Sequence, residues 1–346
     1  MNIDKLIRDN VKALQPYSSA RDEFITTGNQ MVFLDANENP FETNVNRYPD
    51  PNQSNLKLRL ATIKNIEPEN ILFGNGSDEV LDLIFRAFCE PKQDNIMILP
   101  PTYGMYKVLA NINQVEVKSV NLNDSFHPNI EQILTSYNEQ TKLLFLCSPN
   151  NPTGNSFSSV EVQNILMNFP GIVVIDEAYI DFSEQKSWLE RLNEFPNLII
   201  TQTLSKAFGM AGIRLGICFA SSPIINVLKK IKPPYNVNQL TQEAALTRLN
   251  SLEDIKAQID SIKSEKTKLQ EVLGTLNYIQ KVYETDANFI LIKVDNATRR
   301  YDQLIKRGIV VRNRSNQPLC ENCLRITVGS EEENNLLIKT LKELES

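Results

Sequence analysis

Short runs of apolar residues punctuate the chain, separated by segments of helical length that are apolar on one face. NIMIL (95–99), KLLFLC (142–147), GIVVID (171–176), NLIITQ (197–202) and LGICFA (215–220) are apolar without alternation. That pattern predicts strands buried on both faces of a parallel sheet. SDEVLDLIFRAF (77–88) and SSVEVQNILMNF (158–169) have helical spacing, the second behind a serine suited to cap it. Strands and helices in alternation predict an α/β wind. After about residue 236 the texture changes to a long charged helical stretch, followed by FILIKVD (289–295), a helix, GIVVR (308–312), LRITVG (324–329) and a final helix. This predicts a smaller α+β domain. The expected division is an N-terminal arm at 1–30, a large α/β domain at 31–236, and a small domain at 237–346 against which the arm packs. The opening MNIDKLIRDNVKAL reads as a charged amphipathic helix rather than a secretory leader.

Composition narrows the function classes. The 346 residues, 41% of them hydrophobic, suffice for two cores. A net charge of -6 without a basic block leaves no footprint for nucleic acid. No apolar run reaches the roughly 18 residues of a membrane span, so neither membrane nor nucleic acid is expected as a partner, and the expected location is cytoplasmic. Five scattered cysteines suit reduced thiols. Cys320 and Cys323 have the spacing of a redox or zinc pair, but no second pair or neighbouring histidine accompanies them, so no metal is expected. The single histidine, His127, sits in the turn-like DSFHPN, which excludes histidine-based triads and multi-histidine metal sites.

In open α/β sheets, ligands bind beyond the carboxyl ends of the strands. Three such ends carry polar strings: SPNNPTG (148–154), VVIDEAY (173–179) and TLSKAFGMAGIRLG (203–216). In the last, Lys206 follows a buried strand, with Ser205 before it and Arg214 eight residues on. Serine plus arginine makes a phosphate cradle beside a reactive amine, and Gly209 and Gly212 permit close backbone approach. GNGSDE (74–79) opens the helix predicted at 77–88, so the amides around Gly76, Ser77 and Asp78 occupy a positive helix end suited to an anion.

These strings resemble the pyridoxal-phosphate aminotransferases of fold type I, class II. PYSSAR (16–21), LDANENP (34–40), NRYPDP (46–51), GNGSDE, PPTYGMY (100–106), SPNNPTG, IDEAYIDF (175–182), the lysine string and CLRITVG (323–329) follow the family's motifs in order, almost end to end. PYSSAR and NRYPDP point to the histidinol-phosphate branch. The resemblance implies a mainly parallel seven-stranded sheet in the large domain, beside the smaller α+β domain, and pyridoxal 5'-phosphate as cofactor. It implies that Lys206 forms the Schiff base with the cofactor aldehyde and shuttles the proton, and that Asp176 pairs with the pyridine nitrogen. Asn151 and Tyr179 would bond the phenolic oxygen and Tyr103 would stack on the ring. Gly76, Ser77, Asp78, Ser205 and Arg214 would surround the cofactor's phosphate end, joined by Tyr48 from the neighbouring subunit of a homodimer with shared sites, and Thr203 would also bind the cofactor. Arg325 would grip the substrate's anion, helped by Tyr17, Arg312 and Asn151.

The implied reaction is ping-pong transamination between L-histidinol phosphate and 2-oxoglutarate, giving imidazole acetol phosphate and L-glutamate, in histidine biosynthesis. A phospho-amino-acid decarboxylase of the same subgroup is the alternative enzyme. A transcriptional regulator with an aminotransferase-like domain would need a DNA-binding module ahead of motifs that here begin at Pro16. One departure is visible: Gln202 stands where many members carry arginine, which puts its local pairing in doubt.

Overall fold

The computed structural model describes residues 3–17 and 32–345, and among them eleven strands form two sheets. The stretch 18–31, which carries most of PYSSAR and the second part of the predicted arm, lies outside the described residues. The larger sheet contains β1 (Ile71–Asn75), β2 (Asn95–Ile98), β3 (Glu116–Ser119), β4 (Thr141–Cys147), β5 (Ile172–Asp176), β6 (Leu198–Thr203) and β7 (Leu215–Ala220). Their spatial order is β1-β7-β6-β5-β4-β2-β3. The smaller sheet contains β8 (Ile279–Val282), β9 (Phe289–Val294), β10 (Arg312–Asn313) and β11 (Cys323–Thr327), ordered β10-β11-β9-β8 and antiparallel throughout.

All five predicted buried strands form, but LGICFA is not parallel to its neighbours. β7 runs antiparallel to both β6 and β1. Residues 204–214, with only a short turn of 3-10 helix at Ala211–Ile213, link β6 to β7. That link is shorter than the dozen or more residues a parallel crossover requires. The reversal matters for the site. It starts β7 at the edge where the parallel strands end, so Thr203 faces Gly216 and Asn75 faces Leu215.

β1, β3 and β8 were not foreseen. β3 and β8 are short, partly exposed edge strands without an apolar run, and β1 carries Gly74 and a polar end. GIVVR contributes only Arg312 to a strand, and the opening helix is broken into a turn at Ile3–Lys5 and a helix at Asp9–Ala13.

Alternation along each strand divides the core. Leu144, Leu146, Val173 and Ile175 face one hydrophobic cluster, while Leu143, Phe145, Ile172 and Val174 face a second on the opposite side of the sheet. Helix Ser159–Asn168 covers the first side, and its Ser158 cap forms a capping box with Glu161. Helices Ser77–Phe88 and Ser222–Ile231 cover the second. Ile3, Ile7 and Val11, spaced four apart, join that second cluster. The described part of the N-terminal arm therefore packs on the large sheet rather than on the small domain, because its apolar stripe fits against those helices. β9 joins the two cores: Phe289 and Leu291 enter the first cluster, and Ile290 and Ile292 enter a third with Leu324 and Ile326. Among the described residues no helix is long and apolar enough to cross a membrane.

Candidate active site

The cleft lies at the edge where β4, β5 and β6 end and β7 begins. SPNNPTG, following β4, divides the work of its two asparagines. Asn150 is fully buried; its Nδ2 donates to the Pro101 carbonyl at 2.8 Å and to Thr153 Oγ1 at 2.7 Å, and its Oδ1 accepts from Thr102 Oγ1 at 3.2 Å. That asparagine holds the loop. Its neighbour Asn151 faces the cleft, where Nδ2 donates to Tyr179 Oη at 3.4 Å and Oδ1 accepts from Arg325 Nη1.

β5 delivers Asp176 to the floor. The carboxylate is buried and accepts from Tyr106 Oη at 2.8 Å and from the Ala178 amide at 3.2 Å. Burial raises its pKa, and these hydrogen bonds oppose the rise. Tyr106 was not singled out from the sequence. It closes PPTYGMY, but a bond spanning 70 residues of chain leaves no local signal. Glu177 points the other way, accepting from Ser187 Oγ at 2.5 Å, the Trp188 amide at 2.7 Å and Gln202 Nε2 at 2.9 Å. Burial raises its pKa too, against those donors. The departure at Gln202 is thereby explained locally: a neutral amide serves this buried carboxyl.

Beyond β6, Lys206 Nζ has no hydrogen-bond or ion-pair partner among the described residues and lies 5.8 Å from the centre of the Tyr179 ring. Its pKa is lowered, first by desolvation and then by the Arg325 charge, with Asp176 opposing. Burial also pushes the Tyr179 phenol up, so it stays a proton donor. Tyr103, half-buried, donates to Asp78 Oδ1 at 3.2 Å.

The end of the cleft beside helix Ser77–Phe88 is built by close backbone approach. Helix Ser77–Phe88 starts after Gly76, at φ 78°, with no side-chain cap, so its first amides are not taken by a capping side chain. A Cβ on Gly216 would lie 2.2 Å from the Ser77 nitrogen, so only glycine lets β7 approach that helix start. Arg214 adopts a left-handed conformation, φ 54°, and its carbonyl accepts from the Gly76 amide at 2.9 Å. Its guanidinium stands 3.8 Å from Asp78. Thr203 Oγ1 donates to Ser205 Oγ at 3.0 Å.

Ser77, Asp78, Tyr103, Asn151, Asp176, Tyr179, Thr203, Ser205, Lys206 and Arg214 thus line one cleft, with Gly76 against Arg214. A second hollow shares Tyr103, Asn151, Tyr179 and Lys206 with it and adds Arg312, Arg314 and Arg325. Arg325 is held there by Asn151, its Cζ 5.0 Å from the centre of the Phe289 ring, and burial lowers its pKa. Two predicted residues are elsewhere in this chain. Tyr17, 75% exposed, borders a different hollow beside Pro51 and Lys230. Tyr48, 50% exposed, stacks on Tyr235 with ring centres 4.5 Å apart.

A partnerless amine, a buried carboxylate and an arginine-lined mouth thus meet at one edge of a seven-stranded α/β sheet. The family described as "Aminotransferase class I and II" matches residues 32–341. Proteins named histidinol-phosphate aminotransferase from Christiangramia forsetii and Flavobacterium johnsoniae are 61% and 62% identical to the chain. They cover 100% and 99% of it, each over 99% of its own length. The crystal structure of the histidinol-phosphate aminotransferase from Clostridium acetobutylicum superposes with a TM-score of 0.81 at 26% identity, over 87% of this chain and 91% of that one. The chain belongs to the class I and II aminotransferases and, within them, to the histidinol-phosphate aminotransferases.

Proposed function

We propose that the chain transfers the amino group of L-histidinol phosphate to 2-oxoglutarate, giving imidazole acetol phosphate and L-glutamate, with pyridoxal 5'-phosphate held in the Lys206 cleft. The observation that carries the reading is the meeting of the free Lys206 amine with buried Asp176 on one side and Arg325 on the other. The donor set fits the cofactor: an uncapped helix start with Ser205 and Arg214 for a phosphate, Asp176 for a ring nitrogen, and Tyr179 with Asn151 for a phenolic oxygen. Bound there, the cofactor supplies an aldehyde and a protonated ring that draws electrons from the carbon losing its proton.

The chain's own residues do the rest. Lys206 Nζ, its pKa lowered, would take the proton from the substrate's amino-bearing carbon and pass it to the carbon of the cofactor's aldehyde group. Asp176, oriented by Tyr106, keeps the ring nitrogen protonated. Asn151 Nδ2 donates to Tyr179 Oη, which leaves the phenol's own proton free to donate. Arg325, steadied by Asn151, receives the anion of either substrate in turn. Tyr103 covers the ring, and Arg312 lines the route to Arg325.

The working unit in this reading is a homodimer with shared sites. Tyr48 stands half-exposed and outside its own chain's cleft, which suits a reach to the neighbouring subunit, and exposed Tyr17 serves from the arm. The arm, the large domain to residue 236 and the small domain beyond are its three parts. Five buried free cysteines suit a reducing cytoplasm.

The test is a half-reaction. L-Histidinol phosphate added alone should convert the visible cofactor band and release imidazole acetol phosphate, and 2-oxoglutarate should restore the band. Lys206→Ala should do neither. Mixed Tyr48→Phe and Lys206→Ala subunits should regain partial activity, because one of the two sites in a heterodimer is intact. Absence of any half-reaction with L-histidinol phosphate would overturn the substrate assignment, and verified heterodimers that stay inactive would overturn the shared site.

A further inference from the structure

The hollow beyond the cofactor cleft is lined by four cationic side chains, Lys206, Arg312, Arg314 and Arg325, and by no carboxylate. Arg314 has no part in the family resemblance. The β10 and β11 ladder places Arg312 opposite Arg325, and the Arg314 amide continues it by donating to the Cys323 carbonyl at 2.9 Å. A strand's period of two then turns Arg314 to the same face as Arg312. Arg314 is the more sheltered of the two. Its Nε and the Nε of Arg325 are both buried without a hydrogen-bond partner, and the Arg314 side chain forms no ion pair among the described residues.

We propose that Arg314 is a third guanidinium for the substrate's anion and that it makes the hollow selective for a doubly charged phosphate over a carboxylate. The proposal rests on the transamination reading above and assigns the residue that tunes it. Three guanidinium groups crowded together without a counter-ion repel one another and leave buried donors unused, and both costs are relieved by a ligand with two charges and several acceptor oxygens. A carboxylate brings one charge and two oxygens, so it needs fewer of these donors. Burial, followed by the charges of Arg325 and Arg312, lowers Arg314 to about 10, which leaves it charged at neutral pH.

The experiment is calorimetric titration of the cofactor-loaded enzyme at pH 8 with inorganic phosphate and, separately, acetate, so that the cofactor's own phosphate site is already filled. Arg314→Gln is expected to weaken phosphate about tenfold or more and acetate less than about threefold. Arg314→Met, which keeps most of the apolar stem, should repeat the result if the glutamine variant does not fold. In turnover the same variants should raise KM for L-histidinol phosphate with little change in kcat. Phosphate affinity in the variants equal to wild type would overturn the proposal, and so would equal losses for both anions. A wild-type enzyme that binds no phosphate would instead overturn the underlying anion-pocket reading.

Discussion

Replacing Tyr106 with phenylalanine removes one hydroxyl from beneath the cleft and little else. The ring is fully buried and stacks on Phe145 with centres 4.7 Å apart, and phenylalanine keeps that contact. What is lost is the 2.8 Å bond to Asp176 Oδ2, leaving the 3.2 Å bond from the Ala178 amide to Oδ1. A hydrogen bond to a buried ionised group contributes roughly 1.5–3 kcal/mol, and one to the neutral acid about 1 kcal/mol. Because the ionised form loses more than the neutral acid, the Asp176 pKa rises further. Burial already holds that pKa above its unfolded value. Protonation therefore favours the folded state below the unfolded value, and this contribution is lost as pH rises through the folded pKa. Tyr106 matters most where the carboxyl is ionised. The cofactor-free variant should thus lose roughly 1.5–3 kcal/mol above the folded pKa and only about 1 kcal/mol in acid. In the loaded enzyme a more basic Asp176 draws the shared proton away from the ring nitrogen, and turnover should fall about tenfold. Urea unfolding across pH and single-turnover absorbance measure both effects. Turnover within about twofold of wild type, together with a stability loss that does not change with pH, would refute the reasoning.

Trapping of pyridoxal 5'-phosphate on Lys206 by borohydride should titrate below an ordinary lysine, and Arg325→Ala should move the midpoint upward; an unmoved midpoint would refute the charge coupling. Gly216→Ala puts a methyl 2.2 Å from the Ser77 nitrogen and 2.3 Å from the Gly76 carbonyl carbon. It should cost roughly 1–3 kcal/mol and weaken cofactor binding, and normal melting with normal affinity would count against the close approach. Asn150→Ala should destabilise the fold by roughly 1–3 kcal/mol, whereas Asn151→Ala should mainly lower activity; matching stability losses in the two variants would contradict the division of labour.

Most of what is periodic or motif-borne was legible in local pattern. The apolar runs became β2, β4, β5, β6 and β7, and SDEVLDLIFRAF became the helix Ser77–Phe88. The strings around Asn151, Asp176, Lys206 and Arg214 marked residues that do line one cleft. These features are legible because each is encoded in neighbouring residues: a run, a cap, a glycine where backbones must meet. The direction of β7 was not legible. An antiparallel strand buried on both faces has the same composition as a parallel one, and the short link that reverses it became evident only once β6 and β7 were paired. Tyr106 and Arg314 were missed for a related reason: their significance lies in what they touch or fail to touch. Tyr106 meets Asp176 across 70 residues, and the unpartnered Arg314 Nε becomes an observation only when everything around it is in place. The sequence by itself determined which elements and chemical groups this protein has. The tertiary structure alone decided which strand is reversed, which polar groups pair and which are left without a partner, because those depend on distances between residues far apart in the chain.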